Sequence, residues 1–193
     1  MKYVQAKGLR LSTFALGTVQ LCMAYGIGEH REKPTEEAAF AILDKAVELG
    51  VNTLDTANNY GDSEAIIGRW LQKRKSQGRE LPWVVTKIGN FDRCTTYDIL
   101  RDEVFRQTEA CMERLGTDRL DCLMIHRYED YADHLDHVGK VFAELKEQGM
   151  CDYNSLSAYS RHDYSVLASS GFDSVQIPAF SLRSCIYRRY RSC

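Results

Sequence analysis

The sequence has no long hydrophobic run and no excess of charge of either sign. A membrane-spanning helix needs about 18 or more apolar residues in succession, and none occurs. The N-terminal segment from Met1 to Gln5 lacks the apolar core of a signal peptide. The 25 Lys and Arg residues against 27 Asp and Glu residues give a formal net charge of −2, whereas a dedicated nucleic-acid binder normally carries a basic excess. We therefore expect neither a membrane nor a nucleic acid as a partner.

The chain also lacks a Cys-x-x-Cys pair and any zinc-type spacing among its seven cysteines, so we expect no metal site. An odd number of cysteines in a chain of 193 residues does not suit a disulfide framework and indicates the reduced thiols of an intracellular, cytoplasmic protein. Cys111 and Cys122 lie in apolar patterns and are expected in the core. With 44% hydrophobic and 27% charged residues, the composition is that of one ordered globular domain.

Short β-like runs alternate with helical patterns along the chain. Six runs are short enough to be strands and most of them are apolar or β-branched, Cys151–Ser157 being the weaker case: Thr13–Thr18, Val51–Leu54, Trp83–Thr86, Leu120–Ile125, Cys151–Ser157 and Asp173–Ile177, with a hairpin before the first of them. Apolar residues at helical spacing predict four helices between the first five strands: Ala38 to Val47, with Thr35 as N-cap and Gly50 after its end; Ile66, Ile67, Trp70 and Leu71; Leu100, Val104, Cys111 and Leu115; Leu135, Val138, Phe142 and Leu145, ended by Gly149. A short helix is predicted over Asp163–Ser169.

This alternation predicts a parallel sheet with helices packed outside it. The size of the repeating units suits either a (β/α)₈ TIM barrel or a doubly wound sheet. No G-x-G-x-x-G follows Gly17, at the end of the first strand, so the phosphate-binding signature of a Rossmann fold is absent. The pattern favours the barrel and leaves the open sheet as the alternative.

Polar residues follow three successive strands, and the carboxyl ends of barrel strands share one rim. Asp55 ends the second strand and precedes a loop with Tyr60; Lys87 and His126 end the next two. Taken singly, each has an ordinary structural explanation, such as a turn cap or a strand-end lysine. Their joint placement predicts a common site.

Such a group of residues suits acid catalysis of carbonyl reduction. A phenol has a pKa near 10, and lowering it by two units needs roughly 2.7 kcal/mol. An ammonium group about 4 Å away supplies on the order of 4 kcal/mol at an effective dielectric constant near 20. Lys87 would thus tune Tyr60, Asp55 would hold Lys87, and His126 would orient the substrate oxygen. An alternative is a lyase that forms a Schiff base through Lys87.

Three segments resemble the catalytic tetrad of the aldo-keto reductases in residue type, order and spacing. They are Asp55-Thr56-Ala57-x-x-Tyr60-Gly61, Val84-Val85-Thr86-Lys87 and Leu123-Met124-Ile125-His126, and the likeness runs from about residue 7 to about 179. The resemblance implies a TIM barrel that binds NADPH, or else NADH, and transfers hydride to a small-molecule aldehyde or ketone, with Tyr60 as general acid. By the same resemblance, Gly17 and Thr18 lie beside the cofactor, and Ser157 and Gln176 hold its carboxamide.

The sequence departs from the family pattern at two places. Ser155 stands where the family commonly has glycine and Ala158 where asparagine is frequent, so we expect an irregular fifth strand and the loss of one carboxamide contact. The sixth strand is predicted to end near Pro178, so residues 1–182 correspond to about six of eight barrel units and residues 183–193 form a basic tail unlike the family.

A shortened, unclosed barrel has two consequences. The unpaired first and sixth strands predict self-association. The loops that in the family grip the cofactor's phosphates would be missing, so a catalytically impaired remnant or a regulatory fragment is the alternative to an active reductase.

Overall fold

The computed structural model describes residues 1–22, 33–159 and 171–178. Within these ranges a parallel sheet runs in chain order: β3 (Leu16–Gly17), β4 (Thr53–Asp55), β5 (Trp83–Ile88), β6 (Leu120–Ile125), β7 (Cys151–Ser157) and β8 (Ser174–Gln176). An antiparallel hairpin of β1 (Tyr3–Ala6) and β2 (Leu9–Ser12) precedes it. The helices of these ranges follow the strands: a 3₁₀ turn (Val19–Leu21), α1 (Glu36–Glu48), α2 (Ser63–Ser76), α3 (Tyr97–Leu115), α4 (Tyr128–Ala132) and α5 (Leu135–Glu147).

The sheet is curled rather than flat. Nε2 of Gln176, the last residue of β8, donates a hydrogen bond of 2.6 Å to Oδ2 of Asp55 in β4. In a flat sheet these two strands, four steps apart in the order, would be separated by about 19 Å. The contact therefore crosses the concave side of the sheet. The predicted fold class, an incomplete (β/α)₈ barrel, is confirmed.

Local signals in the sequence position the long helices. The Thr35 hydroxyl accepts a hydrogen bond from the Ala38 amide at the start of α1, and the Thr96 hydroxyl accepts one from the Ile99 amide at the start of α3. Gly116 takes the left-handed conformation that ends α3. The predicted apolar faces of these helices supply much of the core, which includes large, fully buried side chains: Leu43, Ile67, Trp70, Leu100, Phe142 and Leu145.

Several sequence-based expectations are wrong in detail. The first strand is much shorter than Thr13–Thr18, and Phe14 is 70% exposed. The Phe14 carbonyl accepts a hydrogen bond from the Ser12 hydroxyl at 2.6 Å instead of from a neighbouring strand. Leu135, expected on the buried face of its helix, is 53% exposed at the first turn of α5. Helix α4 and the 3₁₀ turn were not predicted, because neither is long enough to show a period.

The fifth strand, expected to be irregular, is regular along the whole of β7. The Ser155 hydroxyl is buried, donates to the Ser174 carbonyl at 2.9 Å and accepts from the Ser174 hydroxyl at 2.9 Å. Ser155 therefore joins β7 to β8 instead of disrupting the strand. The short helix predicted over Asp163–Ser169 and the boundary predicted between residues 182 and 183 lie outside the described residues.

Helices α2 and α3 cross at a point where only glycine fits. A Cβ built on Gly68 would lie 2.3 Å from the Arg114 carbonyl oxygen and 2.9 Å from the Leu115 carbonyl carbon. Beside this crossing, the buried carboxylate of Glu64 accepts from the Thr86 hydroxyl and, at 2.6 Å, from Nε of Arg114. This polar link ties α2 to both α3 and β5.

The five described cysteines are all buried and unpaired with one another. Burial raises the pKa of Cys151 to about 11 and that of Cys122 to about 12, so these two side chains behave as small apolar residues at neutral pH. Across the described ranges, no helix combines the length and the apolar character that crossing a membrane would require. Self-association through edge strands stays a prediction.

Asp173, at the amino end of β8, holds the β1–β2 hairpin to the sheet. The carboxylate of Asp173 pairs with Lys7 of the hairpin turn at 2.9 Å and with Lys146 of α5 at 2.8 Å, and it accepts the Asn154 amide of β7 at 3.0 Å. Burial raises the pKa of Asp173, but the hydrogen bonds from Lys146, Asn154 and Lys7 outweigh it and hold the pKa at about 2. One carboxylate thus joins three separate elements.

Replacing Asp173 by Asn is expected to lower the free energy of unfolding at pH 7 by up to about 2 kcal/mol, the equivalent of its depressed pKa. Because the folded-state pKa lies below the ordinary value of 3.8, this stabilisation is complete above about pH 5 and is lost as the pH falls towards 2. Urea denaturation of the parent and the variant between pH 2 and pH 7 measures the difference. The exposed Asp118, replaced by Asn, serves as the control. A difference that does not depend on pH would contradict the role of the carboxylate.

Candidate active site

The predicted site residues lie at the carboxyl ends of the parallel strands. Gly17, Asp55, Ser157 and Gln176 are the last residues of β3, β4, β7 and β8, and His126 directly follows β6. The parallel register aligns Gly17 with Asp55 and Ser157 with Gln176. The predicted positions therefore share one rim, the end of a barrel at which active sites occur.

Lys87 is buried and is held by two partners. It is 2% exposed, its Nζ forms an ion pair with Oδ1 of Asp55, and it donates to the Thr56 carbonyl at 3.1 Å. A buried ammonium without such partners would strongly destabilise the fold. Asp55 in turn uses its second oxygen to accept from Gln176. These contacts fix the Lys87 ammonium in place.

Tyr60 lies between this ammonium and an imidazole. The Nζ atom of Lys87 is 5.3 Å from the centre of the Tyr60 ring, and the ring of His126 meets it edge-on at 5.7 Å with an interplanar angle of 79°. The loop that carries Tyr60 is pinned to β5, because the Asn58 amide donates to the Lys87 carbonyl at 3.0 Å. Main-chain bonds therefore link the tyrosine loop to the lysine itself.

His126 is held by its own backbone amide, which donates to the Ile88 carbonyl at 2.8 Å. Burial lowers the pKa of the His126 imidazole, and the positive charge of Lys87 lowers it further. The ring is therefore neutral at pH 7 and can donate one N–H. The arrangement as a whole places a phenol between a fixed cation and a neutral hydrogen-bond donor.

The side chain of Gln107, which sequence reasoning missed, bonds to two of the loops at the rim. Oε1 of Gln107, in α3, accepts from Nδ2 of Asn58 at 2.7 Å and from the Gly89 amide at 3.2 Å, while its Nε2 donates to the Gly89 carbonyl at 2.9 Å. The loops after β4 and β5 are thus joined through one side chain. A signal was present, because Gln107 is a polar residue at a position that belongs to the apolar face of α3.

Of the four residues expected beside a nicotinamide cofactor, three are at the open rim and one is buried behind it. Gly17 is exposed, and a Cβ built there meets nothing within 4 Å, so the backbone end of β3 is open. Ser157 and Gln176 present a hydroxyl and a carboxamide on adjacent strand ends, next to Asp55. Gly17, Ser157 and Gln176 together fit a planar group that carries a carboxamide. Thr18 is fully buried, and its hydroxyl donates to the Asp55 carbonyl at 2.9 Å and accepts from Ser63, so it supports the rim from within.

Two further sequence expectations concern Ala158 and a metal site. The Ala158 amide donates to the Gln176 carbonyl at 2.9 Å and so extends the ladder between β7 and β8, although its side chain offers no hydrogen bond. In the part of the chain that the structure describes, no cluster of His, Cys, Asp and Glu could hold a metal ion.

Comparisons with known proteins show to which family the chain is similar. Residues 15–184 match the model of the Aldo/keto reductase family. The chain is 31% identical over 156 residues to the uncharacterized oxidoreductase YqkF of Bacillus subtilis, covering 78% of this chain and 46% of that protein. It is 34% identical over 136 residues to the aldo-keto reductase str7 of Strobilurus tenacellus, covering 70% of this chain and 38% of that one. The chain thus spans less than half the length of either relative.

Solved structures give the same fold. The aldo-keto reductase AKR11C1 of Bacillus halodurans, in its holo form, superposes with a TM-score of 0.72 at 24% identity, covering 93% of this chain and 58% of that one. On the family match over most of its length and on its relatives, this chain belongs to the aldo/keto reductase family.

Proposed function

We propose that the chain carries the chemistry of carbonyl reduction, converting an aldehyde or ketone to an alcohol with a hydride from NADPH, with NADH as the alternative donor. One observation carries the proposal: Lys87, paired with Asp55, and His126 both lie against the Tyr60 ring at the rim of the sheet. Family membership supports oxidoreductase chemistry on carbonyl compounds in general.

Gly17, Ser157 and Gln176 are the residues that would hold the nicotinamide, and when bound it supplies the hydride. Gly17 leaves the end of β3 flat, while the Ser157 hydroxyl and the Gln176 carboxamide match the hydrogen-bonding groups of a carboxamide. Gln176 already contacts Asp55. A ring held there would be next to Asp55, which is paired with Lys87.

Tyr60 gives its proton to the substrate oxygen as negative charge develops there. The ammonium of Lys87 stabilises the phenolate that remains, and this stabilisation is effective because Lys87 is buried and its position is fixed by Asp55. His126 stays neutral at pH 7 and donates its N–H to the same substrate oxygen, which orients the carbonyl beneath Tyr60.

NADPH is expected to bind the 193-residue chain and to be consumed when 4-nitrobenzaldehyde is added. Replacing Gln176 by Leu is expected to weaken NADPH binding about tenfold, because about 1.4 kcal/mol of hydrogen bonding is lost. NADPH fluorescence and the absorbance of the reduced nicotinamide measure binding and turnover. Gln148, which is exposed near the opposite end of the sheet, is replaced by Leu as the control.

The same assay separates the alternatives. Absence of NADPH binding at high micromolar concentration would contradict the proposal and favour a remnant or regulatory fragment. A covalent adduct on Lys87, trapped by borohydride in the presence of the aldehyde, would favour the Schiff-base lyase. We expect no such adduct, because the Lys87 ammonium is bound to Oδ1 of Asp55 and to the Thr56 carbonyl, and Asp55 is itself held through Oδ2 by Gln176.

A further inference from the structure

A buried carboxylate joins the loop after β5 to the segment after β6. Asp130, in α4, is 2% exposed. Its Oδ1 accepts from the Phe91 amide at 2.8 Å, and its Oδ2 accepts from the Asn90 amide at 3.0 Å. Both amides belong to the loop that leaves β5 directly after Lys87 and Ile88. Asp130 therefore reaches across from the His126 side of the site to the Lys87 side.

The loop after β5 packs closely against the Asp130 carboxylate. A Cβ built on Gly89 would lie 2.7 Å from Oδ2 of Asp130 and 3.5 Å from Cβ of His126, so the loop passes directly between them. Asn90 has a φ of +66°, a conformation that costs a non-glycine residue free energy. It is stabilised here by the hydrogen bond that the Asn90 backbone amide donates to Asp130. The loop is thus bound in a conformation that places Gly89 against His126.

Arg127 completes the arrangement. Its guanidinium donates to Asp130 at 3.0 and 2.7 Å and to Asp92 at 2.8 Å. Burial raises the pKa of the Asp130 carboxyl, but the hydrogen bonds from Arg127 and from the two amides outweigh burial and hold the pKa below its ordinary value. Asp130 is therefore ionised at neutral pH and offsets the charge of Arg127.

Four charged groups act on the His126 ring. Lys87 of β5 and Arg127 disfavour the imidazolium, whereas Asp55 of β4 and Asp130 favour it. The two groups nearest in sequence, Arg127 and Asp130, form an ion pair with each other. As long as the pair is intact, their effects on the ring oppose each other.

We propose that Asp130 is a positioning residue for His126: its carboxylate fastens the Asn90–Phe91 amides to the segment that carries His126 and offsets the charge of Arg127 beside the imidazole. This inference deepens the proposed function, because it rests on His126 being the group that orients the substrate. Asp130 acts through its neighbours and does not itself touch the substrate.

The test is the titration of His126, followed by NMR on chain labelled at its histidines. The His126 resonance is assigned as the one of five histidines that disappears in His126→Gln. In Asp130→Asn the pKa of His126 is expected to fall by on the order of half a unit, because the negative charge of Asp130, which favours the imidazolium, is lost while the charge of Arg127 remains. In Arg127→Gln it is expected to rise. The double variant is expected to return close to the parent, and Asp133→Asn, an exposed carboxylate of the same segment, is the control with no shift.

Hydrogen exchange measures the fastening directly. Asp130→Asn is expected to speed exchange of the Asn90 and Phe91 amides by about tenfold or more, whereas Arg127→Gln, which keeps the carboxylate, is expected to change it less. Shifts of His126 with the same sign in both single variants, or unchanged exchange at Asn90 and Phe91, would overturn the inference. If Asp130→Asn does not fold, the sign of the shift in Arg127→Gln decides.

These measurements need no cofactor and no turnover, so they are separate from the proposed function. A His126→Gln variant that reduces carbonyls at the parent rate would contradict the role of the histidine while leaving the link between Asp130 and the two amides intact. Conversely, loss of the opposite-sign shifts in a chain whose His126→Gln variant is inactive would contradict the positioning role alone.

Discussion

Replacing Tyr60 by Phe is expected to lower kcat/KM for carbonyl reduction on the order of 10³-fold, about 4 kcal/mol of transition-state stabilisation. The substitution removes the acidic proton and keeps the ring, which meets His126 edge-on and lies 5.3 Å from the Lys87 nitrogen. NADPH affinity is therefore expected to stay within about twofold of the parent. Steady-state kinetics and fluorescence titration on the same preparation measure both quantities.

Tyr153→Phe is the matched control for this variant. Its hydroxyl donates to the Lys7 carbonyl at 3.1 Å, beneath the sheet and away from the rim. The control loses one phenolic hydroxyl and is expected to keep parent activity. Equal activity of Tyr60→Phe and the parent, or an equal loss in both variants, would remove Tyr60 from its role as proton donor.

Replacing Gly68 by Ala is expected to lower the free energy of unfolding by about 3 kcal/mol or more, a large part of the stability of a single domain. Both atoms that the new methyl group would meet, the Arg114 carbonyl oxygen and the Leu115 carbonyl carbon, belong to the backbone of α3 and cannot rotate away. The two helices must separate, which also stretches the buried bond between Glu64 and Arg114. Thermal and urea unfolding followed by circular dichroism measure the loss.

Ser76→Ala is the control for the glycine variant. Ser76 is the exposed last residue of the same helix, so the substitution also introduces an alanine into α2 but creates no contact with α3. We expect its free energy of unfolding to stay within about 0.5 kcal/mol of the parent. A Gly68→Ala variant as stable as this control would mean that α2 and α3 do not approach as closely as the structure has them.

The sequence predicted those features that repeat at short range. The apolar run Leu120–Ile125 and the weaker strand pattern Cys151–Ser157 were both predicted with the bounds found in the structure. Asp55, Lys87 and His126 could be predicted as neighbours because each lies at the carboxyl end of a strand, and these ends share a rim in a parallel sheet, while Tyr60 lies in the loop that leaves one of them. That the rim brings Lys87, Asp55, Tyr60 and His126 together is a matter of geometry, and their catalytic roles stay predictions.

Features that depend on distant partners could not be predicted. Nothing near Gly68 in the sequence indicates that the backbone at Arg114 passes over it. Ser155 was expected to weaken its strand because its partner, Ser174, is distant in sequence. At Phe14 the Ser12 hydroxyl bonds to the main-chain carbonyl, a contact that the apolar pattern over Thr13–Thr18 does not indicate. Periodicity shows which face of an element is buried, whereas these contacts depend on what lies against that face.

The Gln107 carboxamide restricts which residues the outer helix of the site can accept. It accepts two hydrogen bonds through oxygen, from Asn58 and Gly89, and returns two through nitrogen, to Gly89 and Glu103. Glutamate offers no donor at this position, leucine offers neither group, and asparagine is one methylene too short. Anyone redesigning the surface of this helix for solubility or crystallisation must therefore leave position 107 unchanged, although it lies outside the rim and outside the three segments that resemble the catalytic tetrad.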